Sequence, residues 1–215
     1  MWIKMTLPNK LTLLRIILVP AMVIIAFIPY LNSHYMFNSG LSMANFINLI
    51  IFAVASFTDF LDGKIARKYN LVTTFGKFAD PLADKMIVTA AMVIICLQVH
   101  GSGINWWHTD YWWFMPAWGL IVILIRDLIV DGVRFICAGK GETIAADMFG
   151  KIKTFVTMFA LVFLFLWQIN FKFGNTNVLV FGYIGAVLMY VGILFTIISG
   201  IRYVYRARKV IFESI

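Results

Sequence analysis

Six apolar runs, each about as long as a membrane-spanning helix, dominate this sequence. A helix needs about 20 apolar residues to cross the hydrocarbon of a bilayer, and irregular backbone is not tolerated against lipid. With 62% hydrophobic and only 13% charged residues, the chain is predicted to be an all-α, polytopic integral membrane protein with six transmembrane helices. We expect residues 1–215 to form a single membrane domain, because no linker or internal repeat is visible. The runs lie near residues 11–31, 41–61, 81–99, 112–133, 155–169 and 178–201.

Lysine and arginine are distributed unevenly between the ends of these runs. Of the 18 such residues, all but Lys172 fall at the amino terminus or within 64–85, 126–153 and 202–209. The positive-inside rule therefore predicts a cell-membrane protein with both termini on the cytoplasmic side. The net charge of +8 is mostly this orientation signal, together with attraction to anionic membrane lipids. Because the basic residues are dispersed between apolar runs, the pattern argues against nucleic-acid binding.

Four aspartates interrupt the apolar pattern at the predicted cytoplasmic side. Asp59 and Asp62 are three residues apart, which places both on one helix face. Asp80 and Asp84 are four apart and share a face in the same way. Carboxylates at membrane depth are costly unless they are paired, hydrated or bound to metal. Since the ligands are all oxygen and no Cys or His is near, we expect one or two divalent cations, Mg²⁺ or Mn²⁺.

The segment between the two acidic pairs is suited to a phosphate-bearing ligand. Gly63 and Ala66 leave the helix surface open for a bulky group, and Arg67 supplies a fixed positive charge. The alternative is a structural cluster of ion pairs between helices. Within this segment, the basic partners for such a cluster lie in the loop or at helix ends, and they are Lys64, Arg67, Lys68 and Lys77.

Taken together, these residues read D-x2-D-G-x2-A-R-x8-G-x3-D-x3-D, and all eight positions of the pattern are filled. The pattern resembles the signature of the CDP-alcohol phosphotransferase family. The resemblance implies a homodimeric enzyme with a polar active-site cleft on the cytoplasmic side. It also implies metal binding by Asp59, Asp62 and Asp80, with Asp84 as the general base and a further metal ligand. The residues implied in binding the cytidine diphosphate group are Asp62, Gly63, Ala66, Arg67 and Gly76, with Asn9 and Thr12.

Two further elements carry polar residues next to apolar runs. By composition, the opening from Pro8 to Arg15 is an interfacial helix start in which Arg15 snorkels to the membrane surface. Its Pro-Asn-x-Leu-Thr-x-x-Arg pattern, which contains Asn9 and Thr12, is also similar to the opening of family members that use glycerol 3-phosphate. By composition, Lys151 and Lys153 form a positive-inside anchor. Their Gly-Lys-x-Lys-Thr setting is again similar to that of members with this acceptor.

A third element combines Arg126 and Asp127 with Asp131 and Arg134. Arginine presents a planar fork that matches phosphate oxygens, so this element is a candidate phosphate site. The alternative is internal pairing of the arginines with the aspartates. The resemblance favours an acceptor-phosphate site formed by Arg126, Arg134, Lys151 and Lys153, although members that use glycerol 3-phosphate often have Glu where Asp127 stands.

The function implied by the resemblance is transfer of a phosphatidyl group from CDP-diacylglycerol to sn-glycerol 3-phosphate, with release of CMP. The main alternative is the same chemistry with inositol phosphate, serine or another alcohol as acceptor. A divalent-cation channel or transporter would explain the carboxylates, but it would not explain Gly63, Ala66 and Arg67.

Overall fold

The protein is described by a computed structural model that covers residues 6–36, 40–68, 73–100, 112–139, 148–173 and 176–212. Helices make up most of this part of the chain, and two short antiparallel hairpins connect helix ends. A single 3₁₀ turn, Trp112–Phe114, precedes the fifth helix. In chain order the elements are α1 (Leu7–Phe27), α2 (Pro29–Ser33), β1 (Tyr35–Met36), β2 (Leu41–Ser42), α3 (Met43–Lys68), α4 (Thr74–His100), α5 (Ala117–Gly139), α6 (Met148–Phe165), β3 (Phe171–Phe173), β4 (Thr176–Val178) and α7 (Val180–Phe212).

Four segments of the described chain are long and apolar enough to cross a membrane. The apolar part of α3, Met43–Asp59, is shorter than these segments, and α5 carries Arg126 and Asp127 near its middle. The prediction of an all-α membrane protein is therefore confirmed, whereas six spans remain a prediction. The four segments are Asn9–Phe27, Phe78–Val99, Met148–Phe165 and Val180–Arg208.

Prolines explain where two helices depart from the predicted apolar runs. The first run was expected to continue to residue 31, but α1 ends at Phe27, two residues before Pro29. The fourth run was expected from residue 112, but α5 begins at Ala117, directly after Pro116. Proline has no amide hydrogen to donate, so it is favoured at a helix start, although α1 and α4 also contain Pro20 and Pro81 in their interiors. The carbonyl of Pro116 accepts hydrogen bonds from the amides of Gly119 and Leu120, at 2.9 and 3.2 Å.

The described chain divides into two compact units. The first contains the described residues up to Ile95 together with Phe165–Phe181. In it, α1 packs against α3, and the ring centroids of Phe52 and Phe165 are 6.0 Å apart. Buried apolar side chains fill this unit, including Met22, Phe52, Ala55, Ile87 and Met92.

The connection before α3 is held by side-chain hydrogen bonds within the first unit. The Gln168 Oε1 atom accepts from the Ser42 amide at 2.9 Å and from the Asn45 Nδ2 group at 3.1 Å. Gly40 has a φ of +80°, and a Cβ atom there would lie 2.8 Å from the Gln168 carbonyl oxygen. Glycine is therefore required at this turn, because only it adopts the left-handed conformation without a steric penalty.

The second unit contains Cys96–Leu164 and Gly182–Ile215, within the limits of the described residues. Its helices α5 and α7 bury a cluster formed by Val130, Val133, Cys137, Tyr203 and Ala207. Large apolar side chains on these helices remain exposed, as in Phe135, which is 84% exposed. Exposed apolar helix faces of this kind are expected where lipid is the solvent.

Candidate functional site

Arg15 connects the first helix to two of the four aspartates. Its Nη1 atom lies 2.9 Å from Asp59 Oδ1 and also donates to Asp84 Oδ1. The Arg15 side chain is 1% exposed, whereas the two carboxylates are 34% and 37% exposed. Arg15 is therefore an internal ionic partner of α3 and α4, and its interpretation as a snorkelling surface residue is wrong.

Two further residues of α1 connect to the start of α4. The Thr12 hydroxyl donates to Asp80 Oδ1, and the Thr73 hydroxyl donates to Asn9 Oδ1 at 2.8 Å. The Gly76 amide in turn donates to Thr73 Oγ1 at 3.0 Å. A Cβ atom at Gly76 would lie 3.3 Å from Asn9 Oδ1, so a larger residue would crowd this network.

Helical spacing explains why α1 supplies these contacts. Asn9, Thr12 and Arg15 follow one another at intervals of three residues and therefore share a helix face. All three side chains are buried. Burial of polar groups is costly without partners. Carboxylates of α3 and α4 are the partners of Thr12 and Arg15, and the Thr73 hydroxyl is the partner of Asn9. The prediction that the two acidic helices face a common point is confirmed for Asp59 and Asp84, because both contact the same guanidinium nitrogen.

The side chains of several predicted site residues are not among those that the structure describes. The helix α3 continues to Lys68, so Asp62, Gly63, Ala66 and Arg67 lie on its last turns, but their side chains are outside the described residues. Among the side chains that are described, no group of three or more His, Cys, Asp or Glu is close enough to hold a metal ion. Metal binding by the complete set of four aspartates therefore remains a prediction.

The chemistry of the described carboxylates fits a hard cation. Asp59 and Asp84 offer only oxygen, and their Oδ1 atoms contact one positively charged nitrogen between them. Oxygen ligands favour Mg²⁺ or Mn²⁺ over zinc or copper.

A separate polar cluster lies in the second unit, where α5 contacts α6 and α7. The Lys153 Nζ group donates to both oxygens of Asp127, at 2.7 and 2.8 Å. Arg126 Nη1 donates to Asp127 Oδ1 at 3.0 Å, and Arg126 Nη2 donates to Ser199 Oγ at 2.6 Å. Internal pairing of arginine with aspartate, the alternative to a phosphate site in the sequence analysis, is thus observed for Arg126 and Asp127. Lys153 is buried, so it is not an exposed membrane anchor.

The other two residues predicted for an acceptor phosphate are placed differently. Arg134 is exposed, and its guanidinium carbon lies 5.6 Å from the ring centroid of Tyr203. Lys151 is exposed on α6, two residues before the buried Lys153. The structure therefore gathers Arg126 and Lys153 around Asp127, and it places Arg134 and Lys151 on the surface of the second unit.

The sequence did not predict the contacts that three polar residues make in the two clusters. Arg15 was missed as an ionic partner because only basic residues between Asp59 and Asp84 were considered. The shared face of Asn9, Thr12 and Arg15 was the signal that could have revealed it. Thr73 and Ser199 gave no comparable signal, since single hydroxyl residues near helix ends are common.

Comparison with known proteins identifies a family for most of the chain. Residues 5–198 match the family described as CDP-alcohol phosphatidyltransferase. A protein of Bacillus subtilis (strain 168) named CDP-diacylglycerol--glycerol-3-phosphate 3-phosphatidyltransferase is 39% identical over 92% of this chain and 92% of its own length. Proteins with the same name from Wigglesworthia glossinidia brevipalpis and Salmonella choleraesuis (strain SC-B67) are 31% and 33% identical. They cover 98% and 95% of this chain, and 100% and 96% of their own lengths.

Proposed function

Because this chain belongs to the CDP-alcohol phosphatidyltransferase family, we propose that it transfers a phosphatidyl group from CDP-diacylglycerol to sn-glycerol 3-phosphate. The products are phosphatidylglycerophosphate and CMP, so the reaction belongs to phospholipid biosynthesis. The observation that carries this proposal is the similarity, over nearly the full length, to relatives whose names specify both substrates. The two polar clusters of the structure support it, since one is acidic and the other contains phosphate-binding residue types.

The acidic cluster is the proposed site of metal and nucleotide binding. Asp59, Asp62, Asp80 and Asp84 would hold one or two Mg²⁺ or Mn²⁺ ions. When bound, the metal neutralises charge on the pyrophosphate as CMP leaves. Arg15 and Thr12 hold three of these carboxylates from α1, which fixes the acidic side chains before substrate arrives.

The residues proposed to contact the nucleotide lie on the last turns of α3, at the start of α4 and on α1. Gly63, Ala66 and Arg67 on α3 would seat the cytidine diphosphate group. Asn9 and Gly76 lie next to each other through Thr73, and this supports their assignment to one subsite together with Thr12.

Asp84 is the proposed general base. The acceptor hydroxyl attacks the phosphorus on the lipid side of the pyrophosphate, its proton passes to Asp84, and CMP departs with the bonding electrons. General bases must lie within hydrogen-bond reach of the proton that they remove. Asp84 is partly exposed and its Oδ1 atom is held by Arg15, so its exposed part can meet a substrate hydroxyl.

The basic cluster is the proposed site of the acceptor phosphate. Arg126 and Lys153 would bind the phosphate of glycerol 3-phosphate, and Arg134 and Lys151 would add positive charge at the surface. A basic site of this kind favours a phosphorylated acceptor over serine. Inositol phosphate is the alternative acceptor with similar charge.

The membrane arrangement is part of the proposal. We assign spans to α1, α3, α4, α5, α6 and α7, with both termini and a polar cleft on the cytoplasmic side of the cell membrane. The concentration of basic residues at one set of helix ends supports this orientation. The lipid substrate would reach the cleft laterally from the bilayer, and the enzyme would act as a homodimer.

Reconstitution into liposomes tests the proposed class of function. With CDP-diacylglycerol in the bilayer and glycerol 3-phosphate outside, the protein should release CMP only when Mg²⁺ or Mn²⁺ is present. EDTA should abolish release, and added Mg²⁺ should restore it. Uptake of divalent ions without CMP release would instead support a transporter, which is the remaining alternative from another class.

A further inference from the structure

The side chain of Arg126 is held by three separate contacts within the second unit. Its Nη1 group is bound by the neighbouring Asp127 at 3.0 Å. Its Nη2 group donates to Ser199 Oγ at 2.6 Å, and this hydrogen bond connects α5 to α7. Its aliphatic stem lies on the backbone of Gly200, because a Cβ atom there would be 2.9 Å from Arg126 Cγ.

Ser199 is built to accept this hydrogen bond. The residue is fully buried, and its Oγ atom also lies 3.3 Å from the carbonyl oxygen of Thr196. A hydroxyl has one hydrogen to donate. With that hydrogen directed to the Thr196 carbonyl, a lone pair of Ser199 is oriented toward the Arg126 guanidinium.

Gly200 limits where the stem of Arg126 can lie. A Cβ atom at position 200 would lie only 2.9 Å from Arg126 Cγ, a distance shorter than two carbon atoms tolerate. Because Cγ lies near the start of the Arg126 side chain, it can move away only if the side chain changes its rotamer. A Cβ atom at Gly139, on α5, would meet no heavy atom of the described residues within 4 Å. Glycine is thus sterically required at 200 and not at 139.

The held guanidinium retains donors for a ligand. Arginine has five N–H groups, and the contacts with Asp127 and Ser199 use one at each terminal nitrogen. The Nε atom is buried and has no hydrogen-bond partner among the described residues. The Arg126 side chain is 16% exposed, so the second N–H group of a terminal nitrogen, and not the buried Nε, is the donor left for a phosphate oxygen.

We propose that Ser199 and Gly200 are positioning residues that set the orientation of Arg126 for the phosphate of the acceptor. This inference rests on the proposed acceptor role of Arg126. Ser199 fixes one end of the planar guanidinium, and Gly200 allows the stem to lie flat against α7. The pair therefore acts on acceptor binding through Arg126 and touches neither substrate.

The test compares apparent KM values for both substrates in the full-length protein in mixed micelles. Ser199→Ala should raise the KM for glycerol 3-phosphate by about 10-fold, the change expected when a hydrogen bond to a charged group is lost. Gly200→Ala should also raise this KM, because the added Cβ atom displaces the stem of Arg126. The KM for CDP-diacylglycerol should stay within about twofold of the wild-type value. Thr196→Val and Gly139→Ala are the matched controls, since the Thr196 hydroxyl bonds the Gly192 carbonyl of its own helix, and both should leave the two KM values unchanged.

Combination with Arg126→Ala separates positioning from structural damage. In that background, Ser199→Ala should add no further increase, because residues that act through one group are not additive. An equal further increase, or equal effects on both substrates, would overturn the inference. If Arg126→Ala itself left the KM for glycerol 3-phosphate unchanged, the acceptor assignment would fail and the inference with it. If Gly200→Ala does not fold, Ser199→Ala and its rescue by Ser199→Thr carry the test.

Discussion

The guanidinium of Arg15 lies 2.9 Å from the carboxylate of Asp59, although the two residues are on different helices. The same nitrogen also contacts Asp84 on a third helix. A buried arginine with two acidic partners provides a fixed positive charge among carboxylates that would otherwise repel each other. The first helix therefore contributes to the acidic site as well as to the membrane domain.

Replacement of Arg15 should destabilise the protein as well as reduce its activity. Arg15→Ala removes the shared partner of Asp59 and Asp84, and we expect a loss of about 1–3 kcal/mol in the free energy of unfolding. Arg15→Lys keeps the charge without the planar fork, so an intermediate loss is expected. The measurement is thermal unfolding in detergent, together with CMP release. Arg208→Ala is the control, because Arg208 is exposed and its guanidinium carbon lies 4.1 Å from the ring centroid of Tyr205. A similar loss of stability in this variant would contradict a specific role for Arg15.

Replacement of Asp84 with Asn should separate catalysis from binding. The amide cannot accept the proton of the acceptor hydroxyl, so turnover should fall by about 100-fold or more. Binding of CMP, measured by calorimetry on the detergent-solubilised protein, should remain detectable. Near-normal turnover in Asp84→Asn would mean that another group is the base.

Thr12→Val should weaken use of the nucleotide substrate. The hydroxyl of Thr12 donates to Asp80, and its loss removes a contact between α1 and that carboxylate. We expect a rise of about 3–10-fold in the apparent KM for CDP-diacylglycerol, with little change for glycerol 3-phosphate. Thr58→Val is the matched control, because the Thr58 hydroxyl bonds the Ala55 carbonyl of its own helix. Equal effects of the two variants would argue against a specific role for Thr12.

Arg126→Ala and Lys153→Ala should act on the acceptor. Each removes one of the two cations around Asp127, and each should raise the apparent KM for glycerol 3-phosphate by about 10-fold or more. The KM for CDP-diacylglycerol should change much less. Steady-state kinetics with each substrate varied in turn checks this, and parallel increases for both substrates would indicate structural damage.

The positions of the helices followed closely from the apolar runs, whereas their ends did not. The sequence pattern predicted an apolar run from residue 155, yet α6 begins at Met148. The two turns in between carry Lys151 and Lys153, and the predicted run began after these charged residues, although the whole of Met148–Phe165 is apolar enough to cross a membrane. Burial of Lys153 depends on Asp127 of α5, and such a contact between distant residues cannot be derived from local sequence.

The acidic site was predictable to a similar degree. Spacing placed Asp80 and Asp84 on one helix face, and the structure agrees with the expected convergence of Asp59 and Asp84. The helix face of Arg15 could be read from its spacing, but its partners could not, because they are 44 and 69 residues away in the chain. In the sequence, the apolar residues around Arg15 are those expected around a snorkelling arginine. Only the folded structure shows its partners on α3 and α4.

The identity of the acceptor is tested most directly by product analysis. Purified protein should be incubated with CDP-diacylglycerol, Mg²⁺ and one of several acceptors, namely glycerol 3-phosphate, inositol phosphate, serine or glycerol. Lipid products are then identified by mass spectrometry, and CMP is measured in the same samples. The proposed function predicts phosphatidylglycerophosphate and stoichiometric CMP with glycerol 3-phosphate alone. A lipid product formed preferentially from another acceptor would contradict it.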